Sequence, residues 1–169
     1  MSNKSSQLLI VLIIALQFTF IIGRVATKEH TIKSAQEIIV KLAPLDPRSL
    51  LQGDYVLLRY EITNLTEAAP KVPSGFLPKR IKVVLTQKNN VYTYKTHLAW
   101  TQDYTLEPGD IIMNGKIKGG NSVVFGIENY FIEEGTGREV ERNSKYAKLK
   151  IASNGDAYIT ELLEKLPLP

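Results

Sequence analysis

Two histidines, no cysteine and a dispersed set of carboxylates limit the chemistry open to this 169-residue chain. Without cysteine there is no thiol nucleophile, no thiolate metal cluster, no disulfide framework and no lipid-modified cysteine anchor. The missing cysteines leave the compartment open, because disulfide-free domains live on either side of a membrane. A metal site would have to bring His30 and His97 together with a carboxylate, and nothing in their spacing requires it. No metal and no cofactor is expected. No serine stands in the elbow-like motif that presents a Ser-His-Asp nucleophile. Arg80, Lys82, Tyr92 and Tyr94 mix basic and aromatic side chains that could share one sheet face, a combination that binds single-stranded nucleic acid. The same residues alternate on ordinary half-exposed strands, and no nucleic-acid partner is expected. Asp54, after Gly53 at a strand start, can hydrogen-bond nearby backbone amides. That structural use is favoured; a functional one needs a pocket.

The charge balance agrees with this narrow menu. The chain carries 21 basic and 17 acidic residues, a formal net charge of +4. The charges are dispersed, without a run of five of one sign, so a polybasic tail for nucleic acid is not supported. A weak attraction to anionic lipid headgroups is the more economical reading for a tethered chain.

The tether is the first element that must position everything else. Leu8 to Gly23 reads LLIVLIIALQFTFIIG, without a charge and with only Gln17 and Thr19 polar. Extended to about 20 residues, it makes a helix of roughly 30 Å, the thickness of a bilayer core, where the backbone must pair within the segment. A cleaved signal peptide is the rival. Cuts after Gly23 or Ala26 would put Ile21 or Arg24 at the minus-three position, where a small residue is wanted. The uncleaved anchor is therefore favoured, spanning the lipid bilayer from Leu8 to Gly23. Residues 1–28 form a cytoplasmic stub and anchor, and residues 29–169 one domain. Lys4 before the span and Arg24 and Lys28 after it leave the flanking-charge rule nearly balanced. Gln17, near mid-span, is either a tolerated amide or an interhelical hydrogen-bonding group facing a polytopic partner.

The remainder reads as strands and turns. Glu37–Ala43 is a short β-rich run, and Asp46-Pro47 opens a helical turn through Ser49, Leu50 and Leu51. Asp54–Ile62 is the clearest strand, with Val56, Leu58, Tyr60 and Ile62 directed to the core and Tyr55 the better surface contact. Residues 64–79 read as a long exposed loop. Arg80–Thr86 and Val91–Ala99 form a hairpin through Gln87-Lys88-Asn89-Asn90. Glu107-Pro108-Gly109-Asp110 turns into Ile111–Ile117, and Gly119-Gly120-Asn121 breaks before a strand from Ser122 to Ile127. Thr136 to Glu139 matches a capping box for a short helix to Asn143. A last hairpin, Lys148–Ala152 and Ala157–Leu162, carries Asn154-Gly155 as a type I′ signal. Seven or eight strands with one or two short helices predict a mainly β domain, a small barrel or sandwich, behind one N-terminal transmembrane helix.

The stretch DPRSLLQGDYVLLRY, residues 46–60, resembles the bacterial GDYXXLXY family of membrane-anchored proteins. Gly53, Asp54, Tyr55, Leu58 and Tyr60 fill the motif. Pro44 to Arg48 fits as well. A second block, GIENYFIEEGTGREVE at 126–141, is similar to a tyrosine-phenylalanine and glycine-rich stretch of that family and includes Tyr130, Phe131, Gly135, Gly137 and Glu141. The resemblance implies a domain outside the cytoplasm, anchored in the cell membrane by a single helix. It implies a partner, a polytopic membrane protein, and not a reaction. A fainter likeness to membrane-bound signal peptidases covers Leu50 to Val56 and Pro108-Gly109-Asp110. Leu45 stands where those enzymes place the nucleophilic serine, so a general-base role for Lys82 would have no task. The expectation is a noncatalytic accessory or regulatory envelope protein. The alternative is an envelope ligand-binding or hydrolytic domain with a pocket lined by Asp54, Lys82 or His97. A serine-lysine pairing of Ser49 with Lys82 is the third reading.

Overall fold

A computed structural model describes residues 3–44, 55–65, 80–119 and 122–167. The chain divides into two compact units, Met1–Ala35 and Gln36–Pro169. The first is helix α1, Asn3–Lys33, about 46 Å long at 1.5 Å per residue. Its stretch from Ser6 to Lys33 is long and apolar enough to cross a membrane. The helix continues beyond the apolar run into a polar turn where Glu29 pairs with Lys33 at 2.8 Å. The acid precedes the base by four residues, the favourable order on a helix. Thr19 donates to the Ala15 carbonyl and Thr27 to the Gly23 carbonyl, each at 2.9 Å. Both hydroxyls are thus paired within the helix.

The second unit is mainly β. Its strands, among the described residues, are β1 (Gln36–Lys41), β2 (Tyr55–Leu57), β3 (Arg80–Lys88), β4 (Val91–Ala99), β5 (Asp110–Gly119), β6 (Ser122–Val124), β7 (Asn129–Phe131), β8 (Tyr146–Ile151) and β9 (Ala157–Leu163). A short helix α2 (Gly137–Asn143) precedes β8. Seven strands form one sheet in the order β6-β5-β3-β4-β1-β8-β9, and β2 pairs with β7 in a separate ribbon. The sheet curls into a half-barrel. All its pairings are antiparallel except β1 with β4, which run parallel with Val40 opposite Tyr92.

Alternation explains the core. Ile81, Val83 and Leu85 on β3, Met113 on β5 and Leu149 on β8 are fully buried and join one cluster. Val56, Leu58, Tyr60 and Ile127 belong to the same cluster, so the ribbon and its flanks pack against the inner face of the sheet. The half-barrel is fastened where the β8–β9 turn meets β5, strands from opposite sides of the sheet order. The Asn114 N–H donates to the Gly155 carbonyl at 2.8 Å. The Asn114 amide donates to the Asn154 carbonyl at 2.8 Å and to Asp156 at 3.0 Å. Gly155 has φ +87° and an added Cβ would lie 2.7 Å from the Asn114 side-chain oxygen, so both backbone and space require glycine there.

Several local expectations change. The run 54–62 is not one strand: β2 ends at Leu57, Tyr60 makes a lone bridge to Leu42, and Glu61–Thr63 is a 3-10 turn. The inward alternation nevertheless holds, because Val56, Leu58, Tyr60 and Ile62 are all buried. Leu65, assigned to an exposed loop, is buried as well, and the neighbouring Asn64 bridges to Ser122. The strand from Ser122 stops at Val124, where a carboxylate-capped turn begins. The type I′ geometry lies at Asn89-Asn90, both with positive φ, and Gln87 and Lys88 are part of β3. At Asn154-Gly155 only the glycine has positive φ. The Gly155 N–H donates to the Ala152 carbonyl and the Ala152 N–H to that of Asp156, closing a three-residue turn that ends in a left-handed glycine. Helix α2 forms, but Thr136 is itself helical and caps no amide with its side chain. Its hydroxyl donates back to the Glu133 carbonyl at 2.7 Å. The helical turn expected at Asp46–Leu51 lies outside the described residues.

Candidate functional site

The two resembling blocks, far apart in sequence, meet in the β2–β7 ribbon. Tyr55 lies opposite Phe131, Val56 opposite Tyr130 and Leu57 opposite Asn129. The pairing continues past the ladder, because the Leu58 N–H donates to the Glu128 carbonyl at 2.6 Å. Three-residue strands are too short to hold themselves, so side chains complete the joint. Tyr60, fully buried, donates its hydroxyl to the Ile127 carbonyl at 2.6 Å. Burial, with the Glu128 charge adding to it, pushes the Tyr60 hydroxyl far above the usual phenol range. Tyr60 is therefore a neutral donor with a structural task. Glu128 folds its carboxylate back onto the amides of Phe125 (2.5 Å) and Gly126 (2.9 Å). Gly126, at φ +81°, supplies the left-handed bend that makes this return possible.

The motif thus divides. Leu58 and Tyr60 are core, while Tyr55 is half-buried and makes an edge-on ring contact with Phe131, centroids 6.4 Å apart. Phe131 is 78% exposed and Leu57 45%. By strand parity Tyr55, Leu57 and Phe131 share the outward face, a small apolar surface on the ribbon. Tyr130, opposite in parity, packs against the core. Gly135 occupies a positive-φ turn before α2, Gly137 is buried at the start of that helix, and Glu141 lies half-buried on it. Gly53 and Asp54 lie outside the described residues, as does Ser49. Gln17 stands exposed in α1, and no hydrogen bond to it occurs among the described residues.

The remaining candidates are separated. Lys82 lies opposite Leu98 and Asn114, whereas His97 lies opposite Val83. Lys82 and His97 thus occupy opposite sheet faces, which denies them a shared pocket. His97 Nδ1 is 2.8 Å from the Tyr94 hydroxyl. Arg80 and Lys82 lie on the outer face, and Tyr92 and Tyr94 pack into or against the core, so the four do not form one basic-aromatic face. A bulge in the β3–β4 register between Val84 and Leu85 breaks the simple alternation that suggested it. His30 lies in α1, with its side chain outside what the structure describes. Among the described residues no group of three His, Cys, Asp or Glu could hold a metal ion.

One cluster escaped the sequence reading. Lys95 donates to Asp110 at 2.6 Å and to Glu107 at 2.5 Å, and the Asp110 side chain is only 1% exposed. The Lys95 bond holds the Asp110 carboxyl below its usual range, and the Thr86 hydroxyl adds to the effect. The bonds to Asp110 and Glu107 raise the Lys95 ammonium above its usual range. A lysine held protonated is the reverse of a general base, so the cluster is a clamp between β4 and β5. The turn Glu107-Pro108-Gly109-Asp110 was legible, but its partner across the sheet was not.

These features define a β-domain behind one N-terminal helix long and apolar enough to cross a membrane, with a short ribbon assembled from two distant sequence blocks. The chain matches the family model described as GDYXXLXY protein over residues 17–162 and belongs to that family. No curated protein and no solved structure matches it.

Proposed function

We propose that this chain is a noncatalytic envelope protein, held in the cell membrane as a single-pass protein by α1 with its domain on the extracytoplasmic side. The domain binds an integral, polytopic membrane protein and stabilises or regulates it. The observation that carries this reading is the outward face of Tyr55, Leu57 and Phe131. Large apolar side chains left exposed together are the usual mark of a contact surface, and here both family blocks build it. Gln17 adds to it: an amide in an apolar span, with no hydrogen bond among the described residues, can find a partner on another helix.

The test is crosslinked co-purification of the full-length protein from its native membranes, against a form lacking residues 1–28 and a Tyr55→Ala variant, read by mass spectrometry. One polytopic protein should be recovered reproducibly, lost without the helix and reduced by Tyr55→Ala at unchanged circular dichroism. Full recovery with the folded variant would remove the ribbon from the interface. Because the chain lacks cysteine, one introduced cysteine at exposed Thr160, labelled with a membrane-impermeant reagent on whole cells, reports the side of the domain. Labelling only after lysis would overturn the orientation.

A further inference from the structure

Three cations crowd one end of the sheet's outer face. Arg80 on β3 lies opposite Lys116 on β5 across the ladder, and Lys82 follows on the same side of β3. Trp100, the residue after β4, stands beside them: the Arg80 guanidinium lies 5.5 Å and the Lys82 ammonium 6.0 Å from its ring centroid. Arg80 and Lys116 are exposed, and Trp100 is 38% exposed. Among the described residues no carboxylate pairs with any of the three cations. Asp156, which reaches the neighbouring Asn114, has its oxygens taken by the Asn114 and Asn154 amides. Like charges facing each other across a ladder destabilise it, and the tryptophan π-face offsets only part of that repulsion. An external anion would remove the rest.

We infer that the Arg80–Lys82–Lys116 patch with Trp100 is a docking site for an anionic phospholipid surface. The inference rests on α1 being a membrane anchor. Only Ser34 and Ala35 separate α1 from β1, so the domain is tethered to the membrane that α1 would span, and a patch too weak to act in free solution gains from that effective concentration. Charge complementarity selects an anionic surface, and tryptophan beside lysine and arginine suits the polar-apolar boundary of a bilayer. The patch differs from the ribbon face in both residues and chemistry.

Trp100 is the chain's only tryptophan, which makes it a reporter at the site. The full-length protein is reconstituted into vesicles of phosphatidylcholine alone, or with one third phosphatidylglycerol, and floated at high salt. Trp100 emission and its quenching by brominated phosphatidylcholine are then read at low and high salt. The expected result is flotation with both lipids, but a blue shift and quenching only with phosphatidylglycerol, both reversed by salt. Replacing the three cations together (R80Q, K82Q and K116Q) should weaken the association on the order of a hundredfold, from the worth of each basic residue at an anionic surface. The salt reversal tests the unaltered chain should the triple variant misfold. Identical emission and quenching in both vesicles, with flotation intact, overturns the patch and leaves the anchor standing. Failure to float with either lipid overturns the anchor and the inference with it. A Trp100 response to soluble polyphosphate or an acidic peptide, with none to phosphatidylglycerol, overturns the lipid assignment in favour of a soluble polyanion.

Discussion

In the curled sheet, β3, β4 and β5 run nine, nine and ten residues; in the ribbon, three residues face three. The long strands hold one another through repeated backbone pairs and a continuous apolar face. The ribbon depends on particular groups: the Tyr60 hydroxyl on the Ile127 carbonyl, the Leu58 amide on Glu128 and the Glu128 carboxylate on two amides. This contrast explains why the GDYXXLXY motif and the second block sit at the ribbon. A long ladder tolerates many apolar substitutions of similar volume, whereas a three-residue ladder needs specified side chains. Among the described residues, part of the signature is therefore architectural, and Tyr55 and Phe131 face outward.

The first way to break the comparison is to weaken each region separately. Leu149→Ala, in the sheet core, should cost about 2–5 kcal/mol and lower the whole denaturation midpoint. Tyr60→Phe keeps the ring but leaves the Ile127 carbonyl unpaired, at about 1–3 kcal/mol. Hydrogen exchange should then accelerate around Leu58 and 127–131 before it does in β3 and β5. Uniform acceleration through the domain would mean that ribbon and sheet open as one unit.

How much was legible from residues follows the same division. Strands β3, β5 and β8 were legible as runs between turn residues, because long strands leave clear breaks at their ends. Val56, Leu58, Tyr60 and Ile62 were assigned inward correctly although most of that run is not strand, since parity outlasts the ladder. The hidden parts depend on contacts distant in sequence. Nothing adjacent to Glu128 marks it as a cap for its own turn, and nothing near Lys95 announces Asp110. Phe131 is singled out by the family resemblance alone, and nothing beside it in sequence announces its exposure. Asn154-Gly155 carried the stronger hairpin signal, yet the type I′ turn formed at Asn89-Asn90. Loop length chose between them, because three residues lie between Ala152 and Asp156 and two between Lys88 and Val91.

Acid and alkali should separate the regions further. The Asp110 carboxyl is held below its unfolded value, near 3.9, chiefly by Lys95. Its contribution is present above about pH 4 and is lost as pH falls through the lower folded value. The Tyr60 hydroxyl is raised above its unfolded value, near 10, chiefly by burial. That contribution is complete below about pH 10 and fades as pH rises beyond it. Lys95, also raised, fades on the alkaline side too, so variants must assign the effects. Asp110→Asn should shrink the acid loss and Tyr60→Phe the alkaline loss, in denaturant midpoints measured across pH. An alkaline loss unchanged in Tyr60→Phe would assign it to the lysines raised by their carboxylate partners, Lys95, Lys41 and Lys148.

The smallest expected effect on stability is the most informative about function. Phe131→Ser changes a side chain that is 78% exposed and touches Tyr55 edge-on. An exposed position of this kind should move the unfolding free energy by no more than about 0.5 kcal/mol. If Phe131 belongs to a protein interface, the same change removes an aromatic anchor, a class of residue whose loss commonly costs 2 kcal/mol or more in binding, which is roughly a thirtyfold loss of partner recovery. A ribbon that is only architectural would show the small stability change and no loss of recovery. The ratio of the two effects, measured on one variant, decides whether the exposed half of the family signature is a contact surface or an unneeded remainder of the fold.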